Sequence, residues 1–182
     1  MNKKKILRVL VLIAMVAVIA VIWAVKNSGN RQNANMNLTE ENSATADILA
    51  PFEIDHIDLD EILSHGLPVI LDFGSESCGP CREMAPVLEK VHDDMQGKAV
   101  IQYADIWNSP QAAEDSRNFP VQVIPTQFFY TADGKPYVPG EDIPVPFTMY
   151  SHKETKEHLF TVHEGGLTEE QMLLILKDMD VK

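Results

Sequence analysis

Cys78 and Cys81 are the only cysteines in the chain, set two residues apart in SESCGPCREMAP, residues 75–86. A thiolate is the attacking species of disulfide exchange, and a second thiol one helical turn later can resolve the mixed disulfide. The same spacing also serves half of a zinc site or a structural disulfide. Zinc needs further ligands, and suitably spaced histidines, such as His158 and His163, stand far along the chain. A disulfide that closes so short a loop removes little chain entropy. A redox dithiol is therefore the leading reading, with the metal site and the staple as its alternatives.

The elements around the pair must place a sulfur at a helix start. LPVILDFG (67–74) is a short apolar run with the composition of a buried strand. PCREMAPVLEKVHDDM (80–95) has Met84, Val87, Leu88, Val91 and Met95 at helical spacing, with Pro86 inside as a kink. Cys78 then stands at a helix N-terminus, where the dipole and free N–H groups draw its pKa from about 8.5 toward about 7. Pro80 stiffens the loop where no helical N–H is required.

The remaining segments complete an α/β pattern. DLDEILSHG (58–66) predicts a helix opened by an Asp58/Glu61 capping box and stopped at Gly66. KAVIQYADI (98–106) predicts a strand and 109–118 a helix. TQFFYTADGKPYV (126–138) predicts a hairpin turning at Asp133–Gly134. Residues 139–157, with Pro139, Pro144 and Pro146, read as an inserted loop that interrupts the hairpin. HLFTVHEGG (158–166) resumes an extended segment, and a helix capped by Thr168 and Gln171 closes the domain. The expected product is an α/β sandwich with a mixed sheet.

DFGSESCGPCREMAP resembles the active-site stretch of the thioredoxin family, and VIPT (123–126) resembles its cis-proline segment. The resemblance covers about 52–135 and 160–180 and implies a thioredoxin-like three-layer sandwich over residues 51–182. It implies that Cys78 is the nucleophile, Cys81 the resolving thiol, and Asp72 the buried acid that takes the Cys81 proton. It also implies that Gly79, Pro80, Ile124, cis-Pro125 and Gly165 border the substrate groove, while Pro86 is a structural kink. No metal or other cofactor is implied. The chain departs from the family pattern at Ser77 and Gly74, where the family has tryptophans, and at Ile101, where it has a lysine.

Charge and the N-terminus suggest where such chemistry would operate. The net charge of −12 argues against nucleic acid. Residues 1–50 hold six of the 15 basic side chains and three of the 27 acidic ones, so the body of the chain is more acidic than the whole. From Val9 to Val25 every residue is apolar, preceded by Lys3, Lys4, Lys5 and Arg8. Residues 1–26 are therefore expected to form a single-pass membrane anchor with its N-terminus in the cytoplasm. A cleaved signal peptide competes, but the run is long and the sites after Ala20 and Ala24 are poor. Residues 27–50 are Asn-rich and read as a flexible linker.

These observations together predict a membrane-tethered oxidoreductase on the outer face of a bacterial cell membrane, reducing extracytoplasmic protein disulfides. A Gly-Pro centre resembles the family's reducing members, with a reference potential near about −270 mV. The resemblance implies a transmembrane thiol-electron transporter as partner. The alternatives are a disulfide-forming oxidase and a cytochrome c maturation thioredoxin. The 139–157 segment is expected to set partner choice.

Overall fold

The computed structural model describes residues 50–181. The proposed anchor and all but the last residue of the proposed linker lie outside this range. Among the described residues, no helix is long and apolar enough to cross a membrane.

β1 (Val69–Gly74) is buried along its whole length, as its continuous apolar run requires. It pairs in parallel with β2 (Val100–Asp105) and antiparallel with β3 (Thr126–Tyr130). β3 continues to β5 (His158–Glu164), and β5 to the edge strand β4 (Thr148–Ser151), both antiparallel. The mixed sheet thus runs β2-β1-β3-β5-β4.

Helices cover both faces. α1 (Leu59–Ser64) is capped by the Asp58 side chain, which accepts the Glu61 N–H at 3.0 Å. It lies on the same side as α3 (Pro110–Asp115), which runs on into a 3-10 turn at Ser116–Asn118. That layer encloses Ile62, Leu71, Phe73, Ala112 and Phe128. On the opposite face, α2 (Gly79–Asp94) and α4 (Glu169–Asp178) press Leu88, Val91, Ile175 and Leu176 against Ile70 and Ile101. Burying each such side chain contributes about 1.5–3 kcal/mol. The full Thr168/Gln171 capping box opens α4.

The predicted hairpin is altered beyond its turn. The returning arm meets the first at the turn, where the Thr131 N–H donates to the Lys135 carbonyl at 2.8 Å, at a Tyr130–Pro136 bridge, and at the Tyr137 N–H, which donates to the Phe129 carbonyl at 3.0 Å. Pro136 has no N–H to continue the ladder. The Tyr137 ring turns into the core, where its hydroxyl donates to Asp178 Oδ2 at 2.5 Å. The stretch read as an inserted loop is partly ordered as sheet. It supplies β4, buries Val145 and packs Phe147 edge-on against Phe129.

Candidate functional site

The carboxyl ends of β1 and β2 and the start of α2 build the site. After Gly74 the chain turns through Ser75, Glu76 and Ser77, and Asp105 holds the turn in place. The Asp105 carboxylate accepts the N–H groups of Glu76, Trp107 and Asn108 at 2.9–3.0 Å and the Asn108 amide at 2.7 Å. Burial opposes its ionisation, but these donors prevail and hold its pKa below the ordinary value. The Cys78 N–H donates to the Ser75 carbonyl at 3.0 Å and closes the turn.

Cys78 is the N-cap of α2 and is joined to Cys81 by a disulfide. Its sulfur accepts the Cys81 N–H at 3.3 Å, so a backbone donor already faces the atom that would carry thiolate charge. Gly79 and Pro80 form the first turn of α2, and a side-chain carbon added at Gly79 would meet only open space. Cys78 keeps 7% of its surface exposed and Cys81 only 3%, so Cys78 is the more accessible sulfur. A cavity of about 160 Å³, walled by Phe52, Ser75, Ala85 and Tyr103, opens beside Cys81.

The loop before β3 faces the disulfide. The Ile124–Pro125 peptide is cis, and the Ile124 carbonyl oxygen lies 3.7 Å from Cys78 Sγ. Thr126 Oγ1 donates to the Val123 carbonyl at 2.7 Å, and the Gly165 N–H donates to the Pro125 carbonyl at 2.9 Å. Gly165 has φ +113°, a conformation open to glycine. The structure therefore brings Cys78, Cys81, Gly79, Pro80, Ile124, Pro125 and Gly165 to one rim.

Asp72 lies beneath that rim, 1% exposed. Desolvation pushes its carboxyl up to about 7, against the Gln127 hydrogen bond, which acts to lower it. Its Oδ2 and the Cys81 Cβ stand 3.3 and 3.5 Å from the point where a Gly74 side chain would begin. The same point is only 2.7 Å from Tyr103 Cε2, so the aromatic ring of β2 fills the space that Gly74 leaves. Tyr103 is the residue paired with Asp72 across β1 and β2, whereas Ile101 pairs with Ile70 in the core. Burial, then the charges of Asp105 and Asp72, hold the Tyr103 phenol above its usual pKa.

Sequence reasoning passed over Gln127, Tyr103 and Asp105. Gln127 Nε2 donates to Asp72 Oδ1 at 2.7 Å. An amide in the otherwise apolar TQFFY strand is the feature that could have pointed to it. A register shift in β5 lies beside His158, whose Nε2 meets Thr161 Oγ1 at 2.9 Å, whereas His163 Nδ1 meets the Pro146 carbonyl at 2.9 Å. Among the described residues, no group of histidine, cysteine and carboxylate side chains is arranged to hold a metal ion.

A family model described as Thioredoxin matches residues 52–141. The chain is 37% identical over 76 residues to the thioredoxin of Mycobacterium tuberculosis, an overlap of 42% of this chain and 62% of that protein. It thus spans just under two thirds of the mycobacterial relative's length. It is 35% identical over 88 residues to the thioredoxin of Staphylococcus haemolyticus, covering 48% of this chain and 80% of that protein. Among solved structures, chloroplastic thioredoxin z is similar at 23% identity over 72% of this chain and 95% of that one, with a TM-score of 0.49. With a CGPC pair capping a helix, a cis-proline loop against it and most of a thioredoxin's length matched at this identity, the chain belongs to the thioredoxin family.

Proposed function

We propose that this chain is a membrane-tethered thiol–disulfide oxidoreductase that reduces disulfides of extracytoplasmic proteins. One observation carries the chemistry: Cys78 Sγ caps α2, accepts the Cys81 N–H and faces the Ile124 carbonyl at 3.7 Å. The reduced dithiol is the working form. The Cys78 thiolate attacks one sulfur of a substrate disulfide, forming a mixed disulfide and releasing one substrate thiolate. The Cys81 thiol then gives its proton to Asp72 and attacks Cys78 Sγ. This second bond change releases the other substrate thiolate and leaves the Cys78–Cys81 disulfide, so two electrons pass to the substrate. Backbone groups of Ile124 pair with an extended substrate segment while Gly79 and Gly165 leave it room.

The apolar run from Val9 to Val25 behind Lys3, Lys4, Lys5 and Arg8 supports the tether and its orientation. An extracytoplasmic reductant needs electrons from within, which supports a transmembrane thiol-electron transporter as partner. Insulin-disulfide reduction driven by dithiothreitol tests the chemistry: the full chain should be active and Cys78→Ser inactive. Equilibration with glutathione tests the direction, and a potential above about −150 mV would sink the reductant reading. Alkaline extraction and protease treatment of intact cells test the tether; release into the soluble fraction would refute it.

A further inference from the structure

Four side chains stand abreast across the sheet: Tyr103 on β2, Asp72 on β1, Gln127 on β3 and His163 on β5. They share the face covered by α2. Gln127 is fully buried, and its amide nitrogen serves two acceptors, Asp72 Oδ1 at 2.7 Å and Met84 Sδ at 3.7 Å. Its amide oxygen is buried with no partner. A buried amide half satisfied is a poor choice for packing alone, where an aliphatic side chain would leave nothing unpaired. Turning the amide over would set its oxygen against two acceptors, so the observed orientation suits an ionised Asp72.

The two Asp72 oxygens are thereby made unlike. Oδ1 is occupied by a donor. Oδ2 lies on the Gly74 side, 3.3 Å from the point that is itself 3.5 Å from Cys81 Cβ. We propose that Gln127 is a positioning residue for the Cys81 half-reaction: its amide holds Asp72 Oδ1 and leaves Oδ2, the oxygen toward Cys81, to receive the thiol proton. The inference rests on the dithiol chemistry proposed above. In that step the Cys81 S–H bond breaks, its proton goes to Oδ2, and its electron pair forms the bond to Cys78 Sγ as the substrate sulfur leaves with its own pair.

The ionisable groups around Asp72 are Cys81 on α2 and Tyr103 on β2, with His163 on β5 next to Gln127. The α4 side approaches through the Leu167 N–H, which donates to Met84 Sδ at 3.2 Å. His163 Nδ1 is bound to the Pro146 carbonyl at 2.9 Å, which directs that nitrogen away from the row.

Gln127→Met keeps the side-chain length and removes the donor. The full chain carrying it, with carbon-13 at the aspartate carboxyls, should show Asp72 binding its proton about ten- to a hundredfold more tightly than in the unaltered protein. The pH profile of mixed-disulfide release, followed in a single turnover, should move upward by the same factor. In an Asp72→Asn background, Gln127→Met should leave that profile where it is. The unaltered protein offers a check independent of refolding: the Gln127 side-chain amide resonances should titrate with the Asp72 midpoint. An Asp72 midpoint unmoved by Gln127→Met, or Gln127 amide resonances blind to that titration, overturns the proposal. A moved midpoint in a protein that reduces no disulfide supports the positioning and overturns the oxidoreductase reading instead.

Discussion

Asp72→Asn isolates what it costs to ionise a carboxyl beneath the disulfide. Asparagine has nearly the same shape, and its side-chain oxygen can still accept the Gln127 amide that Asp72 Oδ1 accepts at 2.7 Å. Asp72 is raised from an ordinary 3.8 to about 7, chiefly by desolvation. At about 1.4 kcal/mol per tenfold in proton affinity, that difference corresponds to about 4 kcal/mol. The folded chain binds this proton more tightly than the unfolded chain, so between about pH 4 and 7 the folded state holds more protons. Stability must then fall as pH rises through that window and level off above it. The variant has no such slope. At pH 4 the two proteins should be nearly equally stable, and by pH 8 Asp72→Asn should be more stable by up to about 4 kcal/mol. Urea unfolding of the oxidised forms from pH 4 to 9 measures the difference directly. A stability gap that is the same at both ends of the range would refute the buried, raised carboxyl. The same variant should slow mixed-disulfide release by about a hundredfold or more at pH 7, the usual effect of losing a positioned base.

Three other outcomes follow from the geometry. Cys81→Ser should retain substrate proteins on Cys78 as mixed disulfides, recoverable on non-reducing gels and identified by mass spectrometry; an empty trap after exposure to oxidised envelope proteins would count against the two-sulfur mechanism. Gly74→Ala puts a carbon 2.7 Å from the Tyr103 ring and should cost about 1–3 kcal/mol in urea unfolding, with Tyr103→Leu in the same chain recovering most of it. Asp105→Ala strips the acceptor from Glu76, Trp107 and Asn108 and should cost about 3 kcal/mol. Because the Asp105 pKa is depressed in the fold, its contribution is present at neutral pH and fades as pH falls through the carboxylate range, so the variant should lose less at pH 3 than at pH 7.

What could be read in advance depended on how local its cause was. β1 shows as an unbroken apolar run, α2 as a 3.6-residue stripe, and α1 and α4 carry their own caps, all within a few residues. The cysteine pair sits where two such elements meet. The partner of Asp72 was hidden because Gln127 reaches it through strand register across 55 residues. Tyr103 against Gly74 was hidden for the same reason, since the fit exists only once β1 and β2 are aligned. β4 was invisible on its own terms: it is four residues long and mostly exposed. What orders its neighbourhood is tertiary, including Val145 in the core and Asp178, which accepts both the Tyr137 hydroxyl and the Gly140 N–H. Removing 139–157 whole would therefore strip sheet and core together with any recognition surface.

The two margins of the sheet bear on how crowded this protein can be. A sheet recruits foreign strands only at its outermost ladders. The outer side of β2 is taken by the chain's own Phe52–Ile54 stretch: the Tyr103 N–H donates to the Phe52 carbonyl at 2.7 Å and the Ile54 N–H to the Tyr103 carbonyl at 2.9 Å. The far margin, β4, is short, its register slips between Tyr150 and Ser151, and it runs into a solvent-facing turn carrying Lys153, Glu154, Lys156 and Glu157. Each of these features discourages edge-to-edge zipping. Copies confined to one membrane face, as the tethered reading would require, would collide often. With one margin sealed and the other broken and charged, such encounters have no clean template to propagate, and the disulfide rim stays available to substrates.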